Sequence, residues 1–593
     1  MTSYETPYRT HNCNELRRAD VGRIVRLAGW VHRRRDQGGI VFLDLRDRYG
    51  LCQVRISKQA QAQAHETVAA VRSEFVVQVE GEVQARPDGA HNPNLDTGEI
   101  EVAATQVEIL ADSPTPPFEI AGSEEISSEV RYRHRPLDLR RPDVQQHLLR
   151  RHRIQRRMRE FFSERDFVEI ETPILAKATP EGARDFLVPS RLHHGTFYAL
   201  PQAPQVYKQL LMCAGFDRYF QIARCFRDED QRADRQWEFT QLDIEMSFVK
   251  TEDVLALIEE MLFELVREEA VHPCELQLPL RRIPYAEALL RYGSDKPDLR
   301  FGMEIEDVSE IARGAEFEVF RSAVEAGGAV RGIRVPGGAE LSRKEIEAFQ
   351  PAAAEHGAKG LAWLKVTAEG TSGPIAKFFT TDALPKALGA EPGDLLLFVA
   401  DASAAVVAWS LGAVRRAVAR ARGMIVRDRY EACFVVDFPL FVEEEGTGKW
   451  VPAHHPFTAP HPEDLALLES DPHKVRAQAY DPVLNGVELG SGSIRIHRRD
   501  MQETVFRIMG VSKEEARERF SYLLDTLAYG APPHGGIALG VDRLVMLLCG
   551  VDTIREVIAF PKTTSGVDLM SDSPSRVDPD HLAELGISLR GDG

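Results

Sequence analysis

Five short strand patterns near the start of the chain constrain its fold more than any other feature of the sequence. Turn residues separate five segments in which apolar and polar residues alternate, at 24–31, 40–47, 51–56, 74–86 and 98–110. A helical stretch at 58–72 lies between the third and the fourth segment. This order is typical of a five-stranded OB-fold barrel, so the pattern predicts a small β-barrel within residues 1–110.

The rest of the chain predicts further domains of mixed helix and strand content. Residues 111–142 begin with a proline-rich stretch and are predicted to be a linker or hinge. Helices and strands follow at 143–304, and strand-rich sequence returns at 426–560 before a polar extension at 561–593. Between them, residues 305–425 are rich in Ala, Gly and Val and indicate an inserted domain. We therefore expect a multidomain α+β chain.

Composition excludes several classes of protein. The seven cysteines are scattered and include no C-x-x-C pair, which predicts reduced thiols in the cytoplasm rather than disulfides or a zinc ribbon. No segment is apolar enough to predict a membrane span, and no secretory signal is visible. The net charge of −18 argues against a protein that coats nucleic acid indiscriminately.

Arginine clusters leave two interpretations open. Residues 131–159 contain eleven Arg, and a triplet follows the first strand at 33–35. Such a cluster is typical either of a local nucleic-acid surface or of a network of ion pairs. A nucleotide would also need side chains to hold its phosphates, because neither 446–449 nor 490–492 completes a glycine-rich phosphate loop.

Three segments together resemble the signature motifs of the class II aminoacyl-tRNA synthetases. The segment that resembles motif 1 is FVEIETP at 167–173. The segments that resemble motifs 2 and 3 are FRDEDQRADRQWEFTQLD at 226–243 and GGIALGVDRLVML at 535–547. The wider resemblance, to the bacterial aspartyl type, covers nearly the whole chain and includes TPEGARDFLVPSR at 179–191 and AHHPFT at 453–458. It implies a catalytic core built on an antiparallel sheet and an anticodon-binding barrel.

The resemblance implies roles for individual residues. The implied ATP-binding residues are Arg227, Asp228, Glu229, Gln236, Phe239, Glu488, Gly540, Val541, Asp542 and Arg543. Three of them, Arg227, Glu488 and Arg543, are also implied to be catalytic. The implied aspartate-binding residues are Glu181, Gln205, Lys208, Arg227, Asp243, His454, His455 and Arg495. Asp481 and Glu488 are implied to hold Mg²⁺. Two departures from the family pattern are Ala203, commonly Ser, and Trp237, commonly Pro.

The chemistry of aspartate agrees with this set. A selective site needs cations for the β-carboxylate, which Lys208 and Arg495 supply, and acceptors for the ammonium. The neutral amide of asparagine would leave those cations unpaired, so it is rejected. The implied reaction joins aspartate to ATP as aspartyl-adenylate with release of pyrophosphate. The aspartyl group then passes to the 3′-terminal adenosine of tRNA.

The resemblance also implies how the tRNA is recognised. Arg33, Arg35, Phe42 and Gln53 are the implied anticodon contacts, since OB-folds stack bases on aromatic side chains. Some bacterial members charge only tRNA-Asp, whereas others also charge tRNA-Asn and leave an amidotransferase to make asparagine. His32 and Gly81 resemble the non-discriminating type. Motif 1 implies a homodimer. The alternatives are a discriminating enzyme, an asparaginyl or lysyl relative, and a non-catalytic tRNA-binding paralogue.

Overall fold

A computed structural model gives the fold of the chain, which divides into two compact units. The first comprises Met1–Gln146 with Asp568–Ser573, and the second His147–Val567 with Pro574–Gly593. The residues that the structure describes are 5–122, 125–178, 182–379, 381–444 and 446–589. The predicted boundaries between the domains of the second unit stay predictions.

The first unit contains the predicted barrel. Its elements are β1 (Ile24–Asp36), β2 (Ile40–Arg46), β3 (Leu51–Ser57), α1 (Ala62–Ala69), β4 (Val76–Ala85) and β5 (Ile100–Ala111). The strands close in the order β1-β2-β3-β5-β4, and only β3 and β5 pair in parallel. Alternate residues such as Leu27, Leu43 and Val54 are fully buried inside it, because successive side chains of a strand point to opposite faces. The barrel prediction is confirmed.

Two irregularities of the barrel involve the residues predicted to affect tRNA choice. The register of β1 against β2 shifts between Val31 and Arg33, so His32 is an extra residue at a β-bulge. The register of β4 against β5 shifts next to Gly81. A Cβ atom on Gly81 would lie 2.4 Å from the carbonyl oxygen of Ala103, so the close approach of the strands requires glycine there.

Three helices follow the barrel: α2 (Ser128–Arg133), α3 (Arg135–Asp138) and α4 (Pro142–Ser163). Helix α4 carries much of the arginine cluster, and acidic partners distant in sequence pair with it. The ion pairs, with their N–O distances, are Arg153–Glu269 at 3.0 Å, Arg157–Glu264 at 2.9 Å and Arg159–Glu169 at 3.0 Å. These contacts support the ion-pair interpretation for this part of the cluster.

The central sheet of the second unit is built from two separate stretches of the chain. The first stretch comprises β6 (Val168–Glu169), β7 (Leu187–Pro189), β8 (Phe197–Ala199), α5 (Gln205–Cys213), β9 (Arg218–Phe226), β10 (Glu238–Ser247), α6 (Thr251–Glu269), β11 (Arg281–Pro284) and α7 (Tyr285–Tyr292).

Between these stretches the chain forms a separate sheet. Its elements are β12 (Ile305–Asp307), α8 (Ser309–Arg313), α9 (Glu318–Glu325), β13 (Ala329–Val335), α10 (Arg343–Glu347), α11 (Gln350–Ala354), β14 (Ala362–Thr367), β15 (Gly370–Ser372), α12 (Ala383–Ala387), β16 (Leu395–Asp401) and α13 (Ala404–Ala421). The five strands pair antiparallel in the order β12-β13-β16-β14-β15. This sheet lies within the predicted insertion.

The second stretch completes the unit with β17 (Ala432–Val436), β18 (Phe441–Glu443), β19 (Trp450–Pro452), β20 (Ala479–Leu484), β21 (Val487–Glu488), β22 (Gly490–Ile494), α14 (Arg499–Ile508), α15 (Lys513–Leu527), β23 (His534–Gly540), α16 (Val541–Cys549) and α17 (Pro579–Glu584). Short 3₁₀ helices occupy Arg18–Asp20, Gly338–Glu340, Ala376–Phe378, Pro462–Leu467, Pro472–Lys474 and Ile554–Val557.

The central sheet runs β11-β17-β20-β22-β23-β10-β9-β6, with β21 paired to β20. Its pairs are antiparallel except at the two ends, where β11–β17 and β6–β9 are parallel. Helices α4, α6 and α16 pack on one face, where Phe162, Leu262 and Leu544 join the apolar core with Ile244 of β10. The predicted antiparallel core is confirmed. Within the described ranges, no helix combines the length and apolarity needed to cross a membrane.

Candidate active site

A cavity of about 290 Å³ opens on the face of the central sheet opposite helices α6 and α16. Strands β10, β21, β22 and β23 contribute to its walls. The predicted site residues that line it are Gln205, Arg227, Glu229, Gln236, Phe239, His454, His455, Glu488, Arg495, Gly540, Asp542 and Arg543. Residues from the second and the third signature segments therefore meet in one cavity.

Strand β10 supplies both the core and the cavity because its side chains alternate. Leu242 and Ile244 are fully buried in the apolar core. Asp243 and Glu245 point to the opposite face, where they are also fully buried. Buried carboxylates need partners, and cationic side chains from two other elements provide them.

Four charged side chains form a compact buried cluster, which we call the charge quartet: Lys208, Asp243, Glu245 and Arg495. Of the four, Arg495 lines the cavity, whereas the predicted residues Lys208 and Asp243 lie behind its wall. The Nζ of Lys208 lies 3.0 Å from Oδ1 of Asp243 and 3.6 Å from Oε2 of Glu245. Arg495 donates from Nε and Nη2 to the two carboxylate oxygens of Glu245, at 2.9 and 3.2 Å. Each member is at most 2% exposed. Two positive and two negative side chains thus pair within the quartet.

The two carboxylates of the quartet differ in their environment. Burial raises the pKa of Asp243, although Lys208 opposes the shift. Burial acts in the same direction on Glu245, but Arg495 and Lys208 together overcome it and hold the pKa of that carboxyl below its ordinary value. The buried Oδ2 of Asp243 has no hydrogen-bond partner within the described ranges. An unpartnered buried acceptor of this kind is suited to a cationic ligand group.

Glu245 is a site residue that the sequence interpretation missed. It lies two positions after Asp243 in a strand, so the alternation of β10 places both side chains on one face. That spacing was visible in the sequence.

Two adjacent histidines line the cavity, and one of them, His455, contacts the charge quartet. His455 accepts a hydrogen bond at Nε2 from Nη1 of Arg495 at 2.7 Å, and the same nitrogen of Arg495 donates to Oγ of Ser493 at 2.7 Å. Burial and the Arg495 charge lower the pKa of His455 well below its ordinary value, so its ring is neutral. For His454, burial favours a lower pKa, but the Asp481 carboxylate outweighs it and the pKa is raised.

The outer part of the cavity contains the residues predicted to bind ATP. The guanidinium of Arg227 lies 5.0 Å from the ring centre of Phe239, within cation–π distance. Its Nε is buried and has no hydrogen-bond partner in the described part of the chain. Arg543 donates from Nη1 to the carbonyl of Glu488 at 2.9 Å and forms an ion pair with Asp234 at 3.2 Å. Two arginines therefore flank the space next to Phe239, and Asp234 is a further residue that the sequence did not single out.

Some predicted residues have structural partners of their own, whether or not they line the cavity. Asp228 lies 3.7 Å from Nε of Arg184, and the side chain of Val541 packs in the apolar core. Asp542 accepts from the backbone N–H of Thr240 at 2.8 Å and pairs with Arg151 of helix α4. Asp542 thus fixes the start of α16, although it also borders the cavity. Glu181 lies outside the described residues.

The two predicted metal ligands fit a magnesium ion that is held jointly with a nucleotide. Oδ1 of Asp481 is buried and has no hydrogen-bond partner among the described residues. Burial and the nearby Asp481 carboxylate raise the pKa of Glu488, so a cation between them would relieve their repulsion. The described residues include no group of three or more His, Cys, Asp or Glu that could hold a metal. Mg²⁺ typically takes one or two carboxylates and completes its shell with phosphates and water.

The two departures from the family pattern have different consequences. Ala203 lines the cavity without a polar atom in its side chain. Trp237 donates from Nε1 to the backbone carbonyl of Glu229 at 2.8 Å, and its ring packs edge-on against Phe186. The indole therefore stabilises the loop between β9 and β10.

The predicted anticodon residues lie on neighbouring strands of the barrel. Phe42 is the register partner of Arg35 on one side and of Arg55 on the other. Arg35 donates to the amide oxygen of Gln53 at 3.0 Å, and Gln53 donates to Glu101 at 2.8 Å. We call this connected set of Arg35, Phe42, Gln53, Arg55 and Glu101 the barrel face. The structure thus adds Arg55 and Glu101 to the prediction, while Gln53 is buried and already bonded at both ends of its amide.

His32 and Gly81 occupy structurally special positions. The Nδ1 of His32 lies 3.2 Å from Nη1 of Arg46, which also pairs with Glu74 at 2.9 Å. Burial, followed by the Arg46 charge, lowers the pKa of His32, so its ring is a neutral acceptor for Arg46. Gly81 lies in the tight β4–β5 contact. Arg33, by contrast, is exposed.

Comparison with known proteins places these features in a family. The model for class II tRNA synthetases (D, K and N) matches residues 127–564, and that for the OB-fold nucleic acid binding domain matches 25–110. An aspartate–tRNA(Asp/Asn) ligase of Heliobacterium modesticaldum is 53% identical over 584 residues, which are 98% of this chain and 96% of the relative. An aspartate–tRNA ligase of Bacillus licheniformis is 52% identical over 587 residues, 98% of this chain and 99% of the relative.

A solved structure agrees at the level of the fold. Asparaginyl-tRNA synthetase from Pyrococcus horikoshii, complexed with asparaginyl-adenylate, superimposes with a TM-score of 0.58 at 20% identity and covers 96% of this chain and 99% of that one. The OB-fold family model covers the barrel, and the synthetase family model covers the central sheet. The chain belongs to the class II aminoacyl-tRNA synthetases, in the group that comprises the aspartate, lysine and asparagine enzymes.

Proposed function

We propose that this protein is an aspartate–tRNA ligase that charges both tRNA-Asp and tRNA-Asn. The observation that carries the proposal is the charge quartet, in which two buried cations and the unpartnered Oδ2 of Asp243 lie beside the arginines of the nucleotide end. Lys208 and Arg495 bind the β-carboxylate of aspartate, and Asp243 accepts from its ammonium. The names of the 52–53% identical relatives support this substrate.

The first step joins aspartate to ATP. The α-carboxylate attacks the α-phosphorus, the bond to the bridging oxygen breaks, and pyrophosphate leaves with the electron pair. No general base is needed, because a carboxylate is ionised at neutral pH. Arg227 and Arg543 neutralise the phosphate charge, and Phe239 stacks on the adenine. Arg543 exchanges Asp234 for phosphate oxygens when ATP binds. Bound at Asp481 and Glu488, Mg²⁺ would supply further positive charge to the phosphates.

The second step transfers the aspartyl group. The 3′-hydroxyl of the terminal tRNA adenosine attacks the carbonyl carbon of aspartyl-adenylate, and AMP leaves. The barrel face binds the anticodon by stacking a base on Phe42 between Arg35 and Arg55. His32 and Gly81 relax the recognition so that tRNA-Asn is also accepted, and an amidotransferase then converts its aspartyl group to asparaginyl.

We further propose a cytoplasmic homodimer. Motif 1 and the residue that follows it supply exposed apolar side chains for the dimer surface, namely Val168 and Ile174. The cytoplasm fits the cysteines, since no disulfide joins any of the seven, all of which lie within the described ranges.

Aspartate-dependent exchange of pyrophosphate into ATP tests the catalytic proposal. We expect exchange with aspartate and none with asparagine or lysine. Exchange with one of the latter alone would assign the chain to a relative, and no exchange would favour a non-catalytic tRNA-binding paralogue. The Arg227→Ala variant is the control, because it keeps the quartet and removes the implied phosphate contact.

Charging of purified tRNA-Asp and tRNA-Asn with radiolabelled aspartate tests the tRNA proposal. We expect both to be charged at similar rates. Charging of tRNA-Asp alone would make the enzyme discriminating and would contradict the role given to His32 and Gly81. The names of the relatives differ on this point, so the measurement is decisive.

A further inference from the structure

A chain of buried hydrogen bonds runs from the active-site cavity to the far end of strand β23. Its members are Gln205 and Gln209 of helix α5 and His534 of β23, which are at most 6% exposed. Gln205 lines the cavity, whereas Gln209 and His534 do not. Neither of the latter two belongs to the residues that the family resemblance implies, so their hydrogen bonds need a separate explanation.

The direction of each hydrogen bond follows from the one before it. Nδ1 of His534 lies 2.7 Å from the carbonyl oxygen of Pro532, which can only accept, so Nδ1 carries the proton. In a neutral ring Nε2 is then an acceptor, and the amide nitrogen of Gln209 donates to it at 3.2 Å. The amide oxygen of Gln209 therefore faces the other way, and Nε2 of Gln205 donates to it at 3.2 Å.

The neutral form of His534 is favoured by its surroundings. Burial lowers its pKa, although Glu245 and the Pro532 carbonyl act in the opposite direction, and Arg495 and His497 add to the lowering. The ring is therefore held in one tautomer. The single acceptor at Nε2 sets the orientation of both amides that follow.

The consequence for the cavity is a fixed polarity at Gln205. The nitrogen of the Gln205 amide donates to Gln209, and no hydrogen bond among the described residues uses its Oε1, so Oε1 is the amide atom available to a ligand in the cavity that Gln205 lines. An oxygen in this place accepts a hydrogen bond from a cation, whereas a reversed amide would present N–H groups to it. The spacing of Gln205 and Gln209, four residues apart in one helix, brings the two amides together.

We propose that Gln209 and His534 are positioning residues that hold the Gln205 amide with its oxygen toward the α-ammonium of the bound amino acid. The inference rests on the proposed function, since it takes aspartate as the ligand. Asp243 and Gln205 then share the recognition of the ammonium, and Lys208 and Arg495 recognise the β-carboxylate. The amino group and the side chain of the substrate are thus recognised by separate sets of bonds.

Succinate provides a probe that separates these two sets, because it has both carboxylates of aspartate and no ammonium. For Gln209→Leu we expect the KM for aspartate in pyrophosphate exchange to rise about 10-fold, the effect of a lost charge-assisted hydrogen bond. The KM for ATP and the inhibition constant of succinate stay unchanged. Equal weakening of aspartate and succinate would indicate a general distortion of the cavity and would overturn the proposal, as would an unchanged KM for aspartate.

A double-mutant cycle tests whether Gln209 acts through Gln205. The Gln209→Leu change is compared in the wild type and in Gln205→Ala, and its effect on the KM for aspartate disappears in the second background if the proposal is correct. A full effect in both backgrounds would contradict it. His534→Phe removes the hydrogen-bond acceptor of Gln209, and we expect it to raise the KM for aspartate in the wild type but not in Gln205→Ala. The test therefore does not depend on the folding of one variant.

Gln350→Leu is the matched control, because this half-buried glutamine accepts from Leu361 in the separate five-stranded sheet region. It leaves every constant unchanged. Failure of the inference and failure of the proposed function are distinguishable. If only the inference fails, the wild type shows aspartate-dependent exchange but the variants do not show the expected changes in KM. If the proposed function fails, the wild type shows no aspartate-dependent exchange.

Discussion

The charge quartet and the barrel face are built from the same kinds of side chain and differ chiefly in burial. Both contain arginine and carboxylate groups in direct contact. In the quartet every member is at most 2% exposed, whereas the Arg35 side chain of the barrel face is 38% exposed. Removing one charge from the quartet leaves another buried without a partner, which water cannot compensate. On the barrel face, water and salt replace a lost partner of the exposed Arg35 at little cost, whereas Gln53 and Glu101 are buried.

This difference suits two kinds of ligand. Aspartate is small, and it is distinguished from asparagine only by one charge, so a rigid and balanced set of charges is required. The anticodon loop is large and flexible, and its bases bind by stacking and by several weak polar contacts. The comparison predicts large effects of substitution in the quartet and small, salt-dependent effects on the barrel.

The largest expected effect is that of Arg495→Met. It leaves Glu245 buried without its two-bond partner, which costs about 3 to 5 kcal/mol, and it removes a cation for the β-carboxylate. We expect kcat/KM for aspartate to fall at least about 100-fold. At about 1.4 kcal/mol per factor of ten, this fall corresponds to about 2.8 kcal/mol of lost transition-state stabilisation. Pyrophosphate exchange measures the loss, and thermal unfolding measures the destabilisation. A variant with nearly normal exchange would show that the quartet does not bind the substrate.

The next effect is that of pH on Glu245→Gln. Arg495 and Lys208 outweigh burial and hold the pKa of Glu245 below its ordinary value, so ionised Glu245 stabilises the fold above the unfolded-state pKa of about 4.3. That contribution is lost as the pH falls through the lower pKa of the folded state. We expect the wild type to exceed the variant in Tm near neutral pH and the difference to shrink below about pH 4. Parallel profiles would contradict the expectation, and Glu369→Gln, at an exposed position, is the control.

A smaller effect is expected for Arg33→Ala on the barrel. Arg33 is exposed, so its loss removes one contact with the tRNA and leaves no buried charge behind. We expect the KM for tRNA to rise a few-fold and the slope of log affinity against log salt to become less steep by about 1. Pyrophosphate exchange without tRNA stays unchanged. A changed exchange rate would mean that the barrel residue influences the active site.

The smallest effect is expected for His32→Leu. The change removes the acceptor that bonds Arg46 and leaves the Arg46–Glu74 ion pair in place. We expect the ratio of tRNA-Asp to tRNA-Asn charging to rise about twofold, which corresponds to about 0.4 kcal/mol. A ratio that does not change would place the determinant of tRNA choice elsewhere.

The sequence predicted the barrel and the central sheet because strand alternation and turn residues are local signals. The family resemblance also implied about half of the residues that line the cavity, although they are spread along the chain from Gln205 to Arg543. The sequence did not predict that Glu245 pairs with Arg495 or that Asp234 pairs with Arg543, because these partners are 250 and 309 residues apart. The arginines of helix α4 were ambiguous for the same reason, since Glu264 and Glu269 are distant in sequence.

The balanced quartet has a consequence for how amino-acid specificity can drift or be redesigned. A site for a neutral side chain would need one cation fewer, yet loss of Lys208 or Arg495 alone leaves an uncompensated buried carboxylate. The matching loss of Asp243 or Glu245 alone leaves an excess of positive charge. A route from aspartate to asparagine therefore crosses a poorly folded or inactive intermediate unless two substitutions occur together. The genetic code is protected at this point by the stability of the enzyme as well as by its selectivity.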